Sequence, residues 1–396
     1  MVTETKRARG AQGMVLAVAA LVLAAVNLRL AVTSVGPVLA EIRAGLGMSG
    51  TVAGLLTSLP VVCFASVGFA APRLARRFGP SAVVATGLAV LTLGLAVRPF
   101  APGTVVFILL SGVALAGIAV VNVLLPMIVK ERFAARAGMF TGIYSLALNL
   151  GAAVAAGTTV PLAGVFGDDW RLGLGFWAVI AALAVPPWLA LMREPRPAAE
   201  APVPGEQTLR VARTGVGWAV AVYFGMQSTS AYVMIGWLPQ IFRDAGLSAE
   251  TAGVLFAVTS FLGVPLGFLV TSYAGRLRSQ SMIALALGVA GIAGYAGLWW
   301  DPAAAPWVWA VLLGIVNCAF PLVLTMIALR GRTAASVVRL SAFGQGVGYI
   351  IAIPGPILVG MLHDTSGGWR LPLGFMVALM VPQVIAGFQA GRDRQI

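Results

Sequence analysis

The chain alternates between long apolar runs and short clusters of Arg, Lys, Gly and Pro. A membrane-spanning helix needs about 20 mostly apolar residues. Six runs approach that length in the first half (14–38, 50–71, 81–98, 103–129, 137–163 and 172–192). Six more follow in the second (214–238, 251–273, 280–300, 306–328, 336–361 and 371–390). The pattern predicts an all-α membrane protein of twelve transmembrane helices, spans 1 to 12. Residues 1–192 are expected to form one six-helix bundle and 214–396 a second. Between them, 193–213, with Pro195, Pro197, Pro202 and Pro204, reads as a flexible cytoplasmic linker. The first run is too long for a signal-peptide core, so it is expected to stay as span 1.

Composition strengthens this reading. Hydrophobic residues make up 59% of the 396, charged residues 10%, and mean hydropathy is +0.95. A soluble domain carries about 25% charged residues, so the expected solvent is a lipid bilayer. The net charge of +13 does not indicate nucleic acid, because the basic residues sit in clusters between spans and form no continuous face. Placing the N-terminus in the cytoplasm puts 20 of the 26 Lys and Arg residues in cytoplasmic segments. Only Arg43, Arg98, Arg171, Arg243 and Arg370 then fall in outer loops, with Arg29 inside a span. That bias predicts both termini in the cytoplasm of a bacterial plasma membrane. Cys63 and Cys318 lie inside apolar runs and are read as packing residues.

The halves repeat each other. Trp170-Arg171-Leu172-Gly173-Leu174-Gly175-Phe176 recurs as Trp369-Arg370-Leu371-Pro372-Leu373-Gly374-Phe375. Ala53-Gly54-Leu55 matches Ala252-Gly253-Val254, Lys130 and Arg132 match Arg330 and Arg332, and Asn27 matches Gln227. Parallel repeats of this kind place a solute site near the midplane between the halves, which rock against each other.

Arg29 is the strongest chemical signal. An Arg near the bilayer centre costs about 2.5–3.5 kcal/mol on insertion scales, so it must face the bundle interior. All thirteen acidic residues fall in tails, loops or span ends, leaving no mid-membrane carboxylate to pair with it. A guanidinium so placed suits a small anion or an electron-rich polar solute held bidentately. The same absence removes the usual proton carrier of a coupled transporter. Asn27, Asn122, Tyr144, Asn149, Gln227, Tyr232, Gln345 and Tyr349 lie at comparable depth and complete the candidate site, with interhelical hydrogen bonding as their plainer role. Tyr223 and Trp237 are read as packing or interfacial aromatics, and His363, beside Asp364, as a surface histidine. Pro37 and Gly355-Pro356 are candidate gating hinges. No Walker loop and no nucleophilic triad is present, so the chain is not expected to be an enzyme or to use a cofactor.

Several strings resemble the major facilitator superfamily, and within it the cyanate and nitroimidazole transporters, over nearly the whole chain. They are Asn27-Leu28-Arg29 with Gly36-Pro37, Asn122 to Pro126 with Lys130, Gln227-Ser228 with Tyr232 and Trp237-Leu238-Pro239, Phe320-Pro321-Leu322, and Gln345 through Tyr349 to Pro356. The superfamily's loop motif between spans 2 and 3 reads Gly-x-Leu-Ala-Asp-Arg-x-Gly. Here Arg73, Arg76, Arg77 and Gly79 stand in Pro72-Arg73-Leu74-Ala75-Arg76-Arg77-Phe78-Gly79, with Arg76 at the acidic position. The resemblance implies a transporter of a small anionic or polar solute, and the chain is expected to be a monomer working by alternating access. A multidrug exporter is the alternative, but cation extrusion calls for a membrane carboxylate. A transporter-like sensor would need a signalling domain, which the short tails do not supply.

Overall fold

The structure, a computed structural model, describes residues 2–133, 136–192 and 211–396. Among these, ten helical spans are long and apolar enough to cross a membrane, and Gly50–Ser66 with Ala71–Phe78 makes an eleventh that is bent. Span 7, Gly215–Asp244, is a helix of 30 residues that falls short of that apolarity. It is less apolar because Gln227, Ser228, Thr229 and Ser230 interrupt it, yet all four are at most 1% exposed. Buried polar groups need partners, and neighbouring helices supply some. The Ser230 hydroxyl lies 2.8 Å from Tyr295 Oη of span 9, and Thr229 bonds Gly225 O within its own helix. Span 7 is therefore a central helix that meets protein rather than lipid. Phe268, Met282 and Leu93, each more than 60% exposed, belong to the outward apolar surface.

Several spans break where the sequence reading kept them whole. Span 1 ends at Thr33, a tight turn Gly36–Val38 follows, and a short helix Leu39–Leu46 completes the crossing. Span 10 divides into Pro306–Val316 and Ala319–Arg330. Span 11 divides into Ala334–Ala352 and Pro354–Ser366. Its break falls at Ile353, just before Pro354, rather than at the expected Gly355-Pro356, because Pro354 has no N–H to continue the helical hydrogen bonds and sits well at a helix start. The linker also needs correction. Residues 193–210 lie outside the described part, but Val211–Arg213 forms a turn whose Val211 is buried in the core of the second half.

The halves meet mainly at one end of the bundle, opposite the C-terminus, called here the far end. One apolar core runs through the first half and across this contact. A smaller core around Val220, Phe224, Leu322 and Met326 belongs to the second half alone. Glycines permit the close approach. A Cβ on Gly36 would strike Ile235 O, on Gly54 Pro356 O, on Gly236 the Thr57 side chain, and on Gly360 Gly50 O. Each pair joins one half to the other, and small residues at membrane helix crossings let backbones touch.

Polar contacts fasten the same end. Arg243 of span 7 donates to both oxygens of Glu41, at 2.6 and 3.0 Å, and to Pro37 O at 3.2 Å. Asp364 of span 11 accepts from Gly50 N and Thr51 N, both at 2.8 Å, so a carboxylate from the second half caps the first turn of span 2. At the opposite end Arg330 is buried and donates to Ala390 O, Gly391 O and Gln280 Oε1, bracing spans 9, 10 and 12 within the second half.

Candidate solute site between the two halves

Arg29 lies one turn before the end of the span 1 helix, where the Thr33 hydroxyl donates to its carbonyl. Its side chain is partly exposed, and no hydrogen bond or ion pair to its guanidinium exists among the described residues. Its charge acts on three phenols, those of Tyr144 on span 5, Tyr232 on span 7 and Tyr349 on span 11. Tyr349 also feels Tyr144 and Tyr232 directly. Two phenols thus come from the second half, while Arg29 and Tyr144 come from the first. The arrangement sets one fixed cation among hydroxyl donors at the junction.

Aromatic rings wall this site. Tyr349 lies 5.4 Å from Phe64 of span 2 and 5.0 Å from Phe224 of span 7, the latter edge-on. Gln345 sits one turn from Tyr349 on the same face of span 11, and its amide donates to Ser341 Oγ at 2.7 Å. Asn149 donates to Ser145 O in its own helix, and Asn122 is partly exposed on span 4. These three stand on spans that border the site without bonding to Arg29.

Two candidates are placed elsewhere. Asn27 is fully buried and donates to Leu23 O and to Ile180 O of span 6, tying spans 1 and 6 together. Two helical positions subtend about 200°, so Asn27 necessarily points away from Arg29. Its repeat partner Gln227 is also fully buried and accepts from Gln383 Nε2 of span 12 at 2.7 Å. Both amides are internal braces. Pro37 is buried in the Gly36–Val38 turn and Pro356 lies against Gly54, so both belong to the far-end closure. Gly355 instead packs on Thr229 of its own half.

The remaining readings resolve as follows. Arg73, Arg76 and Arg77 are exposed on the helix Ala71–Phe78, with Arg77 5.1 Å over the Phe78 ring. Gly79 ends that helix at φ +91°, a conformation side chains resist. His363 is not a surface histidine. It is half-buried, with its ring 4.4 Å from Trp369 and 6.4 Å from Trp237. Tyr223 and Trp237 are both fully buried packing residues. Arg98, read from sequence as a loop residue, is 1% exposed. Sequence reasoning also passed over Phe64 and Gln383. Gln383 carries the same signal that singled out Gln227, an amide inside an apolar run.

A bundle of apolar helical spans around a polar junction is the architecture of a multi-pass membrane transporter. The Major Facilitator Superfamily profile matches residues 21–353, and the chain belongs to that superfamily. It is 33% identical to the 2-nitroimidazole transporter of Escherichia coli (strain K12), over 96% of each chain. It is 31% identical to the cyanate transport protein CynX of the same organism, over 92% of this chain and 94% of the relative. Among solved structures, a bacterial homolog of the human lysosomal transporter Spinster superposes with a TM-score of 0.79 at 17% identity, covering 96% of this chain and 98% of that one. The fold and these relatives are those of transporters of small solutes, not enzymes.

Proposed function

We propose that this protein carries a small anion, weak acid or compact polar solute of the cyanate or nitroazole kind across the bacterial plasma membrane, with Arg29 as the charge anchor. The observation that supports this most is a guanidinium at the junction of the halves with no carboxylate paired to it among the described residues. Left alone in apolar surroundings, that charge is costly. A solute that accepts from its fork relieves the cost and gains charge-assisted hydrogen bonds. Tyr144, Tyr232 and Tyr349 donate to the same solute, and Phe64 and Phe224 bound it. The relatives named for cyanate and 2-nitroimidazole fit this chemistry, since one solute is a linear anion and the other a flat ring whose nitro oxygens accept hydrogen bonds.

With the termini in the cytoplasm, the far end is the outer one, and the structure corresponds to an outward-closed state. The halves rock about the site to release the solute on either side. A thermal-stability panel tests the solute class, using cyanate, nitrate, short carboxylates, neutral azoles and lipophilic cations. A solute at about 100 times its dissociation constant adds roughly 2.7 kcal/mol to the folded state. Stabilisation by an anion or azole class supports the proposal, and stabilisation by lipophilic cations alone overturns it.

Coupling follows from the same chemistry. Glu41, Asp244 and Asp364 are held at the far end, away from the site. Uptake of a non-titrating anion into liposomes is therefore expected to follow that anion's own electrochemical gradient. An imposed pH gradient at clamped potential should change the initial rate by less than about twofold, a shift of under 0.4 kcal/mol. Accumulation driven by the pH gradient alone would contradict this.

A further inference from the structure

Arg98 occupies a second and separate setting. It follows span 3 in the turn Arg98–Phe100 and is 1% exposed, and its Nε and Nη2 have no hydrogen-bond partner among the described residues. It lines a small cavity of about 20 Å³ together with Ser111 of span 4, whose buried hydroxyl also has no partner among the described residues. The cavity's other wall includes Thr57 of span 2 and Ile235 and Gly236 of span 7. Thr57 already spends its proton on Gly54 O, so the free donors facing this space are those of Arg98 and Ser111.

We infer that this cavity is a binding site for one halide-sized monovalent anion, trapped there when the outer end closes. Three features favour an anion over a neutral occupant. The buried positive charge needs a counter-charge, and no carboxylate pairs with Arg98 among the described residues. A guanidinium and a hydroxyl both present donors, and a halide accepts from both without offering protons in return. The volume suits one water-sized or halide-sized body, which is too small for an azole or a carboxylate. The site is distinct from the one at Arg29 and does not depend on the solute proposed there.

Its location gives it a role. Span 7 belongs to the opposite half from Arg98 and Ser111, so the chamber is complete only while the halves are together at that end. An anion bound there therefore stabilises the outward-closed state over the outward-open one, by linkage. Chloride would act as a ligand of the gate.

The test uses the purified full-length protein in detergent, with chloride or bromide compared with gluconate at equal ionic strength. Chloride at 100 mM is expected to raise the melting temperature of the wild type and of Arg29→Gln by roughly 3–5 °C over gluconate. Arg98→Gln should lose that difference, and Ser111→Ala should need several-fold more chloride to reach it. If Arg98→Gln does not fold, anomalous diffraction from wild-type crystals grown in bromide decides, with a single bromide expected beside Arg98 and Ser111. Equal melting in chloride and gluconate, an undiminished chloride effect in Arg98→Gln, or bromide crystals without that peak would each overturn the inference. Failure here would leave the Arg29 proposal standing, since its solute panel reads a different side chain.

Discussion

Arg29→Gln is expected to lose solute binding while the protein itself becomes no less stable. A hydrogen bond to a charged group contributes about 1.5–3 kcal/mol net, so removing the guanidinium should weaken apparent affinity roughly 10- to 150-fold. Without solute, the same change removes a charge that costs about 2.5–3.5 kcal/mol near the bilayer centre. The ligand-free melting temperature should therefore stay level or rise. Arg29→Lys is the sharper control, since it keeps the charge and loses the planar fork. Its affinity should fall between those of the wild type and the glutamine variant. Flux assays in liposomes and solute-dependent melting provide the two readouts. Unchanged transport by Arg29→Gln would remove Arg29 from the mechanism, and loss of both binding and folding would make it a structural residue.

Gly54→Val is expected to force the outer end open. A Cβ at Gly54 would lie 2.7 Å from Ile357 Cα and closer still to Pro356 O, both backbone atoms that a rotamer change cannot move. Overpacking of this kind costs about 1–3 kcal/mol, and only the closed state incurs it. The ratio of open to closed molecules should rise roughly 5- to 150-fold. Spin labels replacing Phe166 and Trp300, both exposed, would report the distance between the halves, in a background lacking Cys63 and Cys318. The long-distance population should grow in Gly54→Val and stay unchanged in Gly263→Val, where a Cβ meets nothing within 4 Å. An unaltered distance distribution in Gly54→Val would mean that the glycine seam does not hold the closed state.

Residue types in apolar runs make the spans and the core of the candidate site legible. Arg29, Tyr144, Tyr232 and Tyr349 each stand out because a polar group in hydrocarbon must face protein, and the structure brings all four together. Depth along the membrane is readable in this way, but the direction a side chain faces is less so. Asn27 was grouped with Arg29 on depth alone, although helical periodicity sets it on the far side, against Ile180. Gln227 failed for a similar reason, because its partner Gln383 lies 156 residues away. Arg98 was misread since a basic residue before Pro99 at the end of an apolar run looks like a loop. The turn that carries it packs against spans 3 and 4 and the helix Trp170–Gly175, and nothing local in the sequence records that. The same holds for Asp364 and Gly50, separated by 314 residues and joined only by the closure itself.

The cap on span 2 has a mechanical meaning. Ser49 already accepts from Val52 N within its own chain segment, while Asp364 takes the Gly50 and Thr51 amides from across the divide. If the far end parts, those two amides and the carboxylate turn to water together and exchange like bonds for like. Ser49 stays in place, so the helix does not unravel from its first turn. The pairing thus contributes little net adhesion and a great deal of alignment. In the alternating-access cycle proposed above it would work as a detent, returning the halves to one register and letting go without refolding anything.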